Sequence, residues 1–156
     1  ALLGAAAYER WSLTLGPEPI APDFTGAALA GIVRGLRSPI KKVLMDQRRV
    51  AGVGNIYANE SLWMAGIDPS RSASTLSDEE CERLAGRLRD VLEASIAARG
   101  TTFRDYRDAS GGRGAFAAQL RAYGQGGNPC PRCSARLTET HAIDGRSTVF
   151  CHRCQR

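Results

Sequence analysis

Two short cysteine motifs near the end of the chain constrain its folding more than any other feature. Cys130-Pro131-Arg132-Cys133 and Cys151-His152-Arg153-Cys154 are Cys-x-x-Cys knuckles separated by the 17 residues 134–150. At that spacing two tight turns deliver four thiolates to one tetrahedral Zn²⁺. Four sulfur ligands leave no position for an activated water, so a single structural metal is expected and chemistry must come from elsewhere. Two disulfides would need an oxidising compartment, and a thioredoxin-like redox pair would need a surrounding βαβ pattern that the sequence lacks. His141 and His152 could each stand in for a cysteine, but exposed positions on the hairpin are the simpler reading. Between the knuckles, Ala142-Ile143 and Ser147-Thr148-Val149-Phe150 flank Asp144-Gly145, which predicts a hairpin closed by a two-residue turn.

The remainder of the 156 residues reads as helical. Residues 13–24 hold three prolines and a glycine, the composition of a stiff connector. Thr25 is the predicted N-cap of a helix reaching about Arg37, with Leu29, Ile32, Val33 and Leu36 on one face. Ser38-Pro39 predicts a second start, serine capping and proline in the first turn; Ile40, Val43 and Leu44 face inward and Lys41 and Lys42 face solvent. Val50-Ala51-Gly52-Val53-Gly54-Asn55 reads as tight turns presenting backbone amides. Asn55 is then the predicted N-cap of a helix that ends at Gly66. Ser77-Asp78-Glu79-Glu80 is a capping box opening the longest helix, whose stripe is Cys81, Leu84, Leu88, Val91, Leu92 and Ile96. Cys81 on that stripe is a small buried hydrophobe. Ser110-Gly111-Gly112-Arg113-Gly114 predicts a loop, and Phe116 to Tyr123 a short helix. The expected division is a connector over 1–24, a helical domain over 25–124 and a zinc ribbon over 125–156.

Charge points toward a polyanionic partner. The net +5 is uneven: residues 1–98 carry 11 Lys/Arg against 12 Asp/Glu, and residues 99–156 carry 10 against 4, giving −1 and +6. A second basic group gathers at Arg34, Arg37, Lys41, Lys42, Arg48 and Arg49, opposed only by Asp46. Two basic regions flanking a neutral helical body suit nucleic acid, although charge alone does not separate a binding face from a solvated one. No apolar run reaches the roughly 20 residues that span a bilayer, so no membrane role is expected. The apolar opening Ala1–Ala7 lacks a basic leader, so no secretory signal is expected either.

Several further segments, in order and at matching spacing, resemble the C-terminal half of the formamidopyrimidine-DNA glycosylase and endonuclease VIII family. They are Leu15-Gly16-Pro17-Glu18-Pro19, Lys41 with Leu44-Met45-Asp46-Gln47, Val50 to Ala58, Ala65-Gly66-Ile67-Asp68-Pro69, Gly100 to Tyr106, Tyr123-Gly124, and Gly145 to Cys151. The resemblance implies a mainly α fold, a helix-two-turn-helix bundle followed by a small β-hairpin zinc finger. Both parts would grip double-stranded DNA around an abasic or oxidised nucleotide, in a bacterial cytoplasm. It marks Lys41, Gly54 and Asn55 as phosphate-binding positions and Arg146 as the zinc-finger arginine aimed at the lesion phosphates. It places Ser110, Gly112 and Arg113 in the loop that closes over an extruded base. The residue chemistry agrees at one point: a glycine turn entering a helix N-terminus offers open amides and the positive dipole end to a phosphate. Gln125 departs from the pattern, since the family usually has arginine after Tyr-Gly.

The family's reaction starts from an N-terminal proline amine, assisted by a neighbouring glutamate and by a lysine on a hairpin of an N-terminal domain. None of these occurs in the present sequence, which begins Ala1-Leu2-Leu3. No catalytic residue is therefore assigned. The expectation is a DNA-binding module of base excision repair without glycosylase activity of its own. Two alternatives stay open: an active glycosylase/AP lyase working through an N-terminal amine, and a zinc-ribbon protein-interaction module.

Overall fold

A computed structural model describes residues 4–98 and 115–156. The elements are α1 (Ala5–Ser12), α2 (Gly26–Val33), α3 (Ile40–Met45), α4 (Asn55–Ala65), α5 (Asp78–Ala97), β1 (Thr138–Thr140) and β2 (Thr148–Phe150), with single 3₁₀ turns at Ala73–Thr75 and Phe116–Gln119. The fold is mainly α: a helical bundle followed by one antiparallel hairpin, with Glu139 opposite Val149.

α5 is the central element, packed against both α2 and α4. Its start is the expected capping box, Ser77 and Glu80 exchanging bonds between side chain and backbone amide. Cys81, Leu84, Leu88 and Val91 are buried as the stripe predicts, but Ile96 is 65% exposed. At that end Ser95 faces inward instead, 2.8 Å from the Tyr57 hydroxyl. Leu84 and Leu88 meet Phe24, Leu29, Val33, Ile40, Leu44, Leu62 and Ile67 in one core.

The predicted start signals hold in part. Thr25 caps α2 by accepting from the Ala28 amide. That helix stops at Val33, short of Arg37, because Arg34 leaves helical backbone and Gly35 adopts φ +74°. At α3 the cap is Pro39, with no side-chain cap bond. The first-turn amides are satisfied by a distant segment: Ile40 donates to the Arg71 carbonyl and Lys41 to that of Pro69. Gly54, not Asn55, is the N-cap of α4, and Asn55 is its first helical residue. α4 ends as expected at Gly66, φ +71°, where the left-handed turn costs a glycine nothing.

Residues 15–24 are a fitted strap. Gly16 donates to the Gln47 carbonyl and accepts no side chain of its own, since a Cβ there would strike the Arg49 backbone. Arg89 of α5 donates to the Ala21 and Phe24 carbonyls, and Glu82 accepts from the Gly26 amide. The hairpin differs from its expected form. The strands are joined by residues 141–147, so Ala142 and Ile143 lie outside the sheet and Asp144-Gly145 is not a two-residue turn. Within the loop Gly145, φ +81°, donates to the His141 carbonyl.

Glu60, in the middle of α4 and 3% exposed, holds the segment that leads into the hairpin. Its carboxylate accepts from the amides of Arg121 (2.9 Å), Ala122 (2.8 Å) and Tyr123 (2.8 Å). Glu60→Ala leaves those amides without their acceptor in a poorly solvated place. Urea unfolding of the zinc-loaded chain should show a loss of about 3 kcal/mol; a loss below about 1 kcal/mol would mean that water replaces the carboxylate freely.

Candidate metal centre and nucleic-acid interface

The four knuckle cysteines converge as the spacing requires. All four Sγ atoms lie within 4.8 Å of one another, with Cys130–Cys154 at 3.9 Å and Cys133–Cys151 at 3.5 Å. A tetrahedral Zn²⁺ with bonds of about 2.3 Å needs sulfurs about 3.8 Å apart, so the donor set fits a structural zinc ion. Each knuckle is a tight turn. Cys130 donates to the Ala135 carbonyl and accepts from the Ser134 amide, while Ser134 takes φ +62°. The Cys151 amide donates to Gln155 Oε1, and the Gln155 side chain donates onward to the Ile67 carbonyl. Burial pushes the Cys130 thiol up. The amides of Arg132 and Cys133, with the Trp63 and Cys151 side chains, outweigh it and bring its pKa to about 6. Burial and the neighbouring thiols push Cys154 to about 12. Cys81 is remote from this group and buried in the helical core. His141 and His152 are both exposed.

The zinc hairpin is seated on the helical body by buried polar contacts. Lys41, expected at the surface, is fully buried. Its Nζ lies 3.0 Å from Asp144 Oδ2, 3.1 Å from Oδ1 and 2.7 Å from Thr148 Oγ1, with the Ser147 carbonyl at 3.4 Å. α3 is only six residues long, and its Lys41 face is covered by the 141–147 loop instead of water. Asn59 accepts from the Val149 amide at 2.7 Å and donates to the Ser147 carbonyl at 3.2 Å. Asn55 Nδ2 donates to the same carbonyl at 3.1 Å. Three side chains from α3 and α4 thus fix residues 144–149. Burial lowers the Lys41 pKa, and the hydrogen bond and charge of Asp144 oppose that shift.

These contacts aim Arg146. Its neighbours Asp144 and Ser147 are pinned, its own amide donates to Asp144 Oδ1 at 3.1 Å, and its exposed side chain has no ion-pair partner among the described residues. The open cleft beside it, about 420 Å³, is lined by Ser38, Lys42, Asp46, Arg49, Asp144 and Arg146. The exposed Gly54 and the start of α4 stand next to the same loop, linked to it through Asn55. α4 has no side-chain cap, so its first-turn amides remain open, the arrangement that receives an anion. Of the expected DNA-binding positions, Gly54, Asn55 and Arg146 come together at this place, and Lys41 lies beneath it. Ser110, Gly112 and Arg113 fall outside the described residues.

The family model described as the formamidopyrimidine-DNA glycosylase H2TH domain matches residues 15–107, more than half of the chain, and the zinc finger found in FPG and IleRS matches 127–156. The chain belongs to the formamidopyrimidine-DNA glycosylase family. It is 49% identical over 156 residues to the formamidopyrimidine-DNA glycosylase of Thermomicrobium roseum, covering 99% of this chain and 54% of that protein. It is 56% identical over 123 residues to that of Moorella thermoacetica, covering 79% and 45%. Among solved structures it is similar to MutM (Fpg) from Thermus thermophilus, with TM-score 0.88, 38% identity, and coverage of 97% and 57%. It is also similar to Lactococcus lactis Fpg in complex with DNA containing an abasic site, with TM-score 0.89, 32% identity, and coverage of 99% and 57%. The chain therefore spans about half the length of the curated relatives it matches.

Within this glycosylase-family domain pair, sequence reasoning missed Asn59, Glu60, Arg132 and Trp63. The available signal was Asn59-Glu60-Ser61 in the middle of α4, three polar residues in a row on a short helix. All three are buried, which requires partners beyond the helix. Arg132, inside the first knuckle, donates to the Trp63 and Met64 carbonyls at 2.8 and 2.9 Å and stacks 4.1 Å above the Trp63 ring.

Asp144→Ala removes the anion from a fully buried ammonium and should cost about 3 kcal/mol at neutral pH. The sign with pH follows from the lowered Lys41 pKa. Between the folded value and the unfolded 10.5 the unfolded chain holds the proton, so this group's contribution to stability rises with pH. Denaturant melts across alkaline pH should show Asp144→Ala recovering stability more steeply than wild type. Parallel curves would mean that Lys41 rotates to solvent when its partner is lost.

Proposed function

We propose that this chain is a zinc-stabilised DNA-binding module of base excision repair, gripping the phosphates of duplex DNA around a damaged nucleotide. The observation that carries this reading is the convergence of the uncapped α4 start at Gly54-Asn55 with the exposed guanidinium of Arg146, which has no ion-pair partner among the described residues, beside Lys42 and Arg49. Such a site supplies backbone amides, a helix dipole and cations, the three means by which proteins hold phosphate. Asn55 Nδ2 spends one hydrogen on Ser147 and keeps a second for a phosphate oxygen. Lys41 acts through Asp144 and Thr148, by fixing the loop that presents Arg146. The complexes of the Lactococcus relative with DNA containing an abasic site and with DNA containing Fapy-dG support an abasic or damaged-base lesion as the target. The bacterial relatives support a bacterial cytoplasm and its nucleoid DNA as the setting.

Arg146→Ala should weaken binding to a duplex with one abasic site about tenfold while leaving the fold intact. It should also reduce the slope of log affinity against log salt by about one unit, the signature of one lost phosphate contact. Unchanged affinity and slope would remove Arg146 from the interface.

The same reading holds that these residues perform no glycosylase chemistry, because none of them supplies the family's N-terminal proline, its adjacent glutamate or the hairpin lysine. A free amine near the DNA without oriented partners lacks the several orders of magnitude that placement supplies. Borohydride trapping on the abasic duplex should give no covalent band while a native gel still shows bound DNA. A strong band that disappears when the N-terminal amine is blocked would instead make this chain a lyase.

A further inference from the structure

Trp63 stands where the helical body meets the metal centre. It is the ninth residue of α4, 6% exposed, and packs in the second core with Cys130, Cys151, Leu137, Val149 and Ala122. One ring face is covered by the Arg132 guanidinium at 4.1 Å. Its indole Nε1 is the one buried side-chain nitrogen or oxygen among the described residues without a hydrogen bond of ordinary geometry. An N–H buried in that way costs free energy, and in native proteins it ordinarily finds an acceptor. The side chains packed with it in that core offer aliphatic carbon and sulfur. Of these only sulfur accepts, weakly as a thiol and well as a zinc-bound thiolate. Cys130 belongs to the same core, and the Trp63 side chain is its hydrogen-bonding neighbour.

We infer that the Trp63 indole N–H is an outer hydrogen-bond donor of the zinc centre, directed at the Cys130 sulfur, and that Trp63 is a positioning residue for the metal. Such a bond draws electron density from the thiolate, lowers its tendency to take a proton and dissociate, and fixes the orientation of the first knuckle. The geometry around it adds to that role. Arg132, between the two cysteines of that knuckle, is held by the Trp63 and Met64 carbonyls, so α4 grips the knuckle by a side-chain donor and by two backbone acceptors at once. The phosphate-facing start of α4 and the metal then lie at opposite ends of one helix of 11 residues.

The test replaces Trp63 by phenylalanine, which keeps an aromatic ring under Arg132 and deletes the donor. Zinc-loaded Trp63→Phe should transfer its metal to a chelator at least tenfold faster than wild type. With cobalt in place of zinc, its sulfur-to-metal charge-transfer band should shift. The helical circular dichroism should stay as in wild type. Equal release rates with an unshifted band would overturn the inference. Where the variant fails to fold, the wild-type chain loaded with the NMR-active cadmium isotope decides it. Magnetisation passing between the metal and the indole proton, through sulfur, is the expected result, and its absence with an indole proton indifferent to metal removal refutes the bond.

Discussion

The buried contact between Lys41 and the 144–148 loop is the constraint on which the rest of the arrangement depends. A lysine with no exposed surface is stable only with its charge matched, and here Asp144, Thr148 and the Ser147 carbonyl supply the match. The contact spans more than a hundred positions of sequence, from the third helix to the zinc loop, and forms only when both units are folded. Asn55 and Asn59 add their bonds to the same short stretch of backbone. The hairpin is thereby held to the body in one orientation, and Arg146 inherits that orientation because it sits between two of the pinned residues.

The zinc unit illustrates why a small module needs such help. Its sheet has three residues per strand, and its apolar interior is completed by Trp63 and Ala122 from outside the ribbon. Zinc fixes the two knuckles relative to each other, which removes chain entropy that so small a core could not offset. The attachment to the bundle is distributed: Arg132 on the end of α4, Gln155 on the Ile67 carbonyl, and the Arg156 amide on that of Gly66. Arg71 binds Glu80 through two 2.6 Å contacts and also donates to the Arg156 carbonyl, so the α5 capping box and the end of the zinc unit share a partner. The metal centre, the helical core and the surface that carries Arg146 and the start of α4 consequently form a continuous body, built from two sequence-distant units.

Much of this was legible in the sequence where the responsible physics is local. Thr25, Ser77 with Glu80, and Gly66 announced helix ends through bonds made within a few residues, and each behaves accordingly. The apolar stripe of α5 located the core down to Val91, and two Cys-x-x-Cys turns announced the metal. Legibility failed where a distant group displaced a local one. Pro39 could take over as the cap of α3 because carbonyls from Pro69 and Arg71 satisfy amides that a Ser38 side chain would otherwise have served. Asp144-Gly145 has the composition of a two-residue turn, yet Asp144 is drawn onto Lys41 and the loop widens to 141–147.

The sequence by itself therefore determined α2 to α5 in outline, though not α1, together with the metal ligands and the basic character of the C-terminal third, since each rests on spacing, capping chemistry or charge within a short window. Tertiary structure alone decided that Lys41 is interior while Arg146 is exposed, and that Asn55 links helix to hairpin. It also decided that Trp63 packs against the knuckle cysteines. A side chain's burial and partner depend on which surfaces meet, and here the meeting surfaces come from segments more than sixty residues apart, a separation over which no local pattern carries information.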